Sequence, residues 1–327
     1  MKARAAHTLL AVGLCGLADA AFASPDDRTI VAVAVENDTF ANTDKHYTNG
    51  FRAGFSPPGD KTPDWMVALG EGSGLFEDGA RYRAIFTFGQ NMYTPKDIGL
   101  EVPDPLDRPY AGWLYGSVGL AGISSDRYGV LEISLGVVGP ASLADHTQEF
   151  VHDLIGAEDP EGWDFQLKNE PALTLTYQAG RVWLHEERAG LEMSLAPHYG
   201  GALGNVFIHA NAGATLRIGQ GLQNDSGPPR IQPAIQSAGM FGERRQSWFV
   251  FAGIEGRAVA RNIFLDGNTF RDSTSVDSEP LIADLQVGAV FQRGSWKISY
   301  THIFRTDEFE TQDESTSFGA IGLAHAF

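Results

Sequence analysis

Read by hydrophobic and polar position, the chain is a succession of segments of about ten residues. In each, apolar side chains recur at every second position or β-branched and aromatic residues cluster, and Gly, Pro, Asp and Asn mark the ends. Twelve segments predict strands, at about 28–37, 47–56, 80–89, 112–122, 127–138, 166–179, 190–199, 206–217, 247–257, 281–292, 295–303 and 316–327. The alternation is imperfect: Ile298, Tyr300 and His302 oppose Ser299, Thr301 and Ile303. Such weakness is what a strand with one face on lipid and one on a polar lumen produces, and an even strand number suits a closed antiparallel transmembrane β-barrel. Between about 139 and 165 the period changes. Pro140 precedes a stretch from Ser142 to Ile155 with Phe150, Val151, Leu154 and Ile155 at helical spacing, and Gly156 as a stop, which predicts a short helix on a loop. Long irregular stretches at 57–79, 93–110, 222–246 and 304–315 predict the other large loops, the third an exposed excursion carrying Pro228, Pro229, Arg244 and Arg245. No internal repeat divides the chain.

The ends sharpen this picture. Lys2 and Arg4, an apolar run from Leu9 to Leu17 and the small-residue site Ala21-Phe22-Ala23 before Ser24 read as a cleaved signal peptide over 1–23, leaving 24–327 as one barrel domain. The apolar run is too short to span a bilayer, and no later run reaches the length of a transmembrane helix. Membrane residence must come from strands. The final segment places Ile321, Leu323 and the terminal Phe327 on one face, resembling the recognition signal of outer-membrane barrels, with His325 as a departure on that face. A soluble β-sandwich shares the alternation but is usually shorter and explains neither end.

The sole cysteine, Cys15, lies in the leader, so a mature chain has no disulfide, thiolate metal site or cysteine nucleophile. The net charge is −17, and loss of Lys2, Arg4 and Asp19 with the leader makes it −18. Nucleic acid is an unsuitable partner for such a surface. Divalent cations bridging it to anionic lipid, or solubility alone, account for the acidity.

Four clusters carry candidate chemistry. Glu36-Asn37-Asp38, followed by Thr43-Asp44, gathers oxygen donors at a strand end, as a hard cation or a turn would require. Tyr47-Thr48-Asn49-Gly50 opens the next strand, where a hydroxyl orients a ligand or caps a turn. Gln90 to Lys96 and Arg108 to Trp113 offer Lys96 and Arg108 to a phosphate, while Trp113 and Tyr115 read as aromatics of an interfacial belt. In Thr147 to Glu158, Gln148 and His152 stand four apart on one helix face, with Glu158 past the Gly156 break. An imidazole here can take a proton from water, and a carboxylate can hold its tautomer; a lone surface His is otherwise inert.

Together these segments resemble the lipid A 3′-O-deacylase family of outer-membrane barrels over most of the chain after the leader. The most specific pieces are Glu36-Asn37-Asp38, Asp44 to Gly50, Gln90 to Pro95, Gly139-Pro140 and Gln148 to Trp163. The resemblance implies a twelve-stranded barrel with its site near the outer-leaflet end, between wall and loops, acting with calcium on the 3′ acyloxyacyl group of lipid A. Carried over, Asp38 would help ligate calcium, His152 would be the general base, Glu158 and Gln148 would support it, and Asn37 and Thr48 match site positions. The family pattern has a lysine a few residues beyond the Tyr-x-Pro element, where this chain has Ile98-Gly99-Leu100; Lys96 or Arg108 would then meet the phosphate. With no Gly-x-Ser-x-Gly elbow, hydrolysis by a water activated at His152 is the expected route. A phospholipase A with the same base and metal, and a barrel that only binds or transports lipid, are the alternatives.

Overall fold

A computed structural model describes residues 28–37, 46–222 and 246–327. The leader, Asp38, Thr43, Asp44 and almost all of the 222–246 stretch lie outside the described residues. All twelve predicted strands form, most of them longer than their apolar pattern suggested. They are β1 Ile30–Asn37, β2 His46–Ser56, β3 Arg81–Thr94, β4 Ala111–Ile123, β5 Arg127–Val138 and β6 Glu170–Arg181, then β8 Leu191–Gly204, β9 Phe207–Gln220, β10 Gln246–Asn262, β11 Leu281–Arg293, β12 Trp296–Arg305 and β13 Thr316–Ala326. Each pairs antiparallel with its neighbours, β6 with β8, and β1 with β13 from Ile30↔Ala326 to Asn37↔Gly319, so the sheet closes on itself. An additional strand, β7 Leu184–Arg188, pairs only with β8; its His185-Glu186-Glu187-Arg188 has no apolar face to betray it.

The wall is inverted relative to a soluble barrel. Outward positions such as Phe51, Phe55, Phe88, Leu135, Leu175, Ile254, Leu285 and Ile298 are exposed, while inward ones include buried Arg52, Glu132, Glu255, Arg257, Asp284 and Arg305. Apolar groups meeting lipid cost nothing, and charges inside survive only when paired. Arg52 meets Glu132 at 2.6 Å, and Asp284 accepts from Arg305 at 2.8 Å and from Arg257 at 3.1 Å. Among the described residues no helix is long and apolar enough to cross a membrane.

Three short helices decorate the barrel. At the end where β1 begins and β13 finishes, here the terminal end, α1 Asp64–Ser73 lies within the stretch 57–79 that the pattern left irregular. At the opposite, loop end, α2 Ala144–Ile155 fulfils the predicted helix. There too, α3 Ile263–Asp266 drops Phe264 into the lumen, with Asn262 Oδ1 capping it by accepting from the Phe264 amide.

Around Phe264 an aromatic plug fills the loop end of the lumen: Tyr93 stacks on it at 4.1 Å, and Trp113 stacks on Tyr115 at 4.1 Å. Trp113 and Tyr115 are thus buried inside, not in the interfacial belt expected of them. Strand β4 is apolar on both faces there (Trp113-Leu114-Tyr115), so alternation cannot tell lumen from lipid. His325 does face outward, packed edge-on between Trp296 and Phe327 at 4.3 Å from each, where an imidazole is at home among interfacial rings.

Candidate active site

The loop over 139–169 folds back onto the outside of the barrel. Gly139 makes the turn at φ 100°, and a Cβ there would stand 2.6–2.7 Å from the backbone of Lys168 and Asn169. Its amide donates to the Gly112 carbonyl at 3.0 Å. Gly112 faces outward and lets the start of α2 touch the wall: a Cβ at that position would lie 2.1 Å from Ser142 Oγ and 2.3 Å from Ala144 Cβ. Gln90, on the same outer face, donates from Nε2 to the Ser142 carbonyl at 2.7 Å. The 95–110 loop is clasped in as well, through Glu161 N to Ile98 O at 2.9 Å, Leu167 N to Tyr110 O at 2.9 Å, and a buried cluster of Met92, Ile98, Tyr110, Ala144 and Trp163. Burial pushes the Tyr110 hydroxyl up to about 12, so it stays a donor, to the Ile98 carbonyl at 3.2 Å.

Helix α2 carries its polarity reversed. Gln148 and His152 are buried toward the wall, while Phe150 and Leu154 are 67% and 75% exposed on the lipid side. Trp163 Nε1 donates to Gln148 Oε1 at 2.8 Å, which turns the Gln148 Nε2 donor toward His152 Nε2 at 3.4 Å. On the far side of the ring, His152 Nδ1 meets the Glu158 backbone carbonyl. A carbonyl only accepts, so the ring proton belongs on Nδ1 and the Nε2 lone pair is held free as a base, engaged only by a long contact. Gly156, at φ 70°, ends the helix and allows its own and the Ala157 amide to return to the His152 carbonyl, which turns the chain so that Glu158 can reach the ring.

The support expected from the Glu158 carboxylate thus comes instead from its main chain. The carboxylate itself is exposed and leans over Gly99, with Oε1 2.8 Å from where a Cβ on Gly99 would sit, beside the Asp97 side chain. A larger residue at Gly99 would collide with it.

Asn37 belongs to the same outer patch. Register runs Asn37↔Asn49 and Asn49↔Met92, then Met92↔Gly112 beneath α2. Two strand spacings, about 10 Å, separate Asn37 from that row's Met92. Thr48 sits where the β2–β3 register shifts between His46 and Asn49, a bulge of the kind that re-aims a strand beside a site.

The expected phosphate ligands are placed apart from His152. Lys96 Nζ lies 3.2 Å from Asp313 and 3.5 Å from Glu314, and the hydrogen bond to Asp313 holds its pKa above the ordinary value. Arg108 is fully buried at the top of the lumen, 3.5 Å from Glu308, with its guanidinium 5.0 Å over the Tyr93 ring. Calcium's expected ligand Asp38 lies outside the described residues, among which no group of three or more His, Cys, Asp or Glu side chains gathers for a metal. Asn37 and Asn49 offer the hard amide oxygens that calcium takes, so the donor type fits. Trp163 was not given a role by sequence reasoning; its one signal was an indole in a loop, whose N–H needs a partner once buried.

A closed barrel with a lipid-facing exterior defines an integral membrane β-barrel, and the polar cluster around His152 lies on its outer wall. A sequence model of the family described as outer membrane protein LpxR matches residues 8–327, and the chain belongs to that family. It is the family whose motifs the sequence carries, and the barrel is integral to the outer membrane. The solved structure of LpxR from Salmonella typhimurium superimposes with a TM-score of 0.74 at 21% identity, covering 91% of this chain and 100% of that one. The β domain of the Bordetella autotransporter BrkA gives 0.44 at 10% identity, covering 92% and 100%. No curated protein sequence matches.

Proposed function

We propose that this protein is a calcium-dependent lipid A deacylase of the outer leaflet that removes the 3′-acyloxyacyl group by water attack, with His152 as general base. The observation that carries the reading is the His152 ring, fixed between the Glu158 carbonyl and Gln148 with Nε2 as the free base. Its location supports a lipid substrate: the base lies on the outer wall, flanked by exposed Phe150 and Leu154, at the end bearing the 95–110, 139–169 and 263–280 connections, as the longer extracellular loops of such barrels do. An ester near the headgroup boundary would reach it with its chains along the wall, each buried methylene contributing about 0.8 kcal/mol. His152 takes the proton of the attacking water at Nε2 and Gln148 keeps the ring in register. Asp38, with Asn37, would hold calcium, which when bound supplies electrostatic stabilisation of the developing oxyanion.

His152→Ala removes only a general base, so the barrel should fold while deacylation falls by about 10²–10⁴-fold. Mass spectrometry of lipid A from cells expressing the variant reads this, and a normal product spectrum from a folded variant refutes the base. Chelation by EGTA should stop turnover by the purified protein and calcium should restore it; undiminished turnover would remove Asp38 from its role. Since Lys96 is engaged by Asp313 and Glu314 and Arg108 is sealed in the lumen, a glycerophospholipid is the second substrate to present. Hydrolysis of that lipid in preference to lipid A would make the protein a phospholipase instead.

A further inference from the structure

Helix α1 lies on the outside of the wall at the terminal end, where no loop of the active site reaches. Its inner face is short and close-fitting: Met66 packs with Ala84 and Leu120, and a Cβ at Gly70 would fall 2.4 Å from the Tyr82 ring. These wall positions share the outward face of Phe86 and Phe88, by alternation along β3 and its pairing with β4. Leu75, just beyond the helix, is tied to the same wall by a hydrogen bond from the Tyr177 hydroxyl to its carbonyl. The other face is unpartnered: Trp65 is 63% and Leu69 47% exposed, one helical turn apart, and Leu75 is exposed beside them.

The tryptophans say what covers this face. Of the six in the chain, Trp113 and Trp163 are buried at the loop end, and the four exposed ones all lie at the terminal end. Trp183 follows β6, Trp248 opens β10 and Trp296 opens β12, with Phe327 at the close of β13. That is an interfacial aromatic belt, and over β3 and β4 it has a gap, because the wall aromatic there, Tyr82, is covered by α1 at Gly70. Helix α1 stands in that gap.

We propose that α1 is an interfacial helix: its Trp65–Leu69 edge, continued by Leu75, docks into the lipid of the membrane leaflet at the terminal end and completes the belt across β3 and β4. The occupant is lipid because the face continues the lipid-facing wall on either side, and α1 carries no basic residue that would suggest an acidic protein partner. An apolar edge without cationic flanks gains its affinity from buried area, independent of anionic headgroups. The inference stands apart from the catalytic reading, since no residue of α1 touches the site.

With Cys15 replaced by Ala, a single bimane label is placed at Leu69→Cys, at Leu323→Cys on the wall, or at Glu101→Cys in an exposed loop. The protein is reconstituted into vesicles of phosphatidylcholine or of its dibrominated analogue. The label at 69 should follow that at 323, with blue-shifted emission quenched several-fold more by brominated lipid than the label at 101. Emission and quenching equal to position 101 would overturn the proposal. So would a dry label that brominated lipid does not quench, whether a second copy or another protein covers it. Replacing phosphatidylcholine by phosphatidylglycerol should leave the quenching unchanged, and dependence on anionic lipid would refute the area-driven docking.

Discussion

The Trp163 indole fixes a proton two residues away. Its N–H reaches Gln148 Oε1, the amide thereby points its N–H₂ at His152 Nε2, and the imidazole proton is left on the side of the Glu158 carbonyl. Trp163→Phe keeps the ring in the Met92–Tyr110 cluster and deletes only the donor. Without it the Gln148 amide can rotate and present its oxygen to Nε2, favouring the tautomer whose proton sits where the base must be free. A buried hydrogen bond is worth about 1 kcal/mol, so kcat should fall roughly fivefold at unchanged KM. Steady-state kinetics on lipid A checks this, and a rise in KM with kcat intact would make Trp163 a packing residue alone.

Among the elements, α2 is the one whose position the chemistry depends on, and Gly112 is what lets it sit against β4. Gly112→Ala inserts a methyl where Ser142 and Ala144 already stand, so the helix must lift. A displacement of about 1 Å at the base costs about 10²-fold in rate. The barrel should keep its heat-modifiable mobility while α2 amides exchange faster; an unperturbed rate would show that Ser142 relaxes instead. Helix α2 was legible in the sequence because Phe150, Val151, Leu154 and Ile155 stand at helical spacing, yet Phe150 and Leu154 face lipid, and the buried Gln148 and His152 invert the usual reading. The strands were legible from period two. Helix α1 was not, because Gly70, Gly72 and Gly74 dilute the pattern of Trp65, Met66 and Leu69. Sequence also gathered His152, Gln148 and Asn37, which the fold does bring to one outer face. It could not separate Lys96 and Arg108 from them, since only the third dimension shows that Arg108 points inward.

At the scale of the molecule, the loop end of the lumen is packed. Beside the aromatic plug, Arg108, Arg305 and Arg257 alternate with Glu308 and Asp284 across the lumen. Burial pushes the Glu308 carboxyl up, but Arg305, Arg108 and Arg257 together hold it below its ordinary value of 4.5. A carboxylate so depressed adds stability that is complete above the unfolded value and disappears as pH falls through the folded one. Thermal unfolding in detergent should therefore weaken as pH drops below about 4.5, where unfolded carboxylates begin to protonate. Glu308→Gln should be destabilised at pH 7, by about 3 kcal/mol since it leaves buried guanidinium charge unpaired, and should lose part of that acid dependence. Equal melting of both proteins at pH 7 would show that water already screens the network.

The seam between β1 and β13 joins positions about 300 apart, so it is the most distant strand pairing among the described residues. Until it forms, β1 and β13 each present an open edge, and in hydrocarbon every unpaired backbone group costs several kcal/mol. A half-built cylinder is therefore not a resting state in the bilayer. Biogenesis of this protein must shelter both margins until the first and last strands meet, and the ring then shuts as a single event.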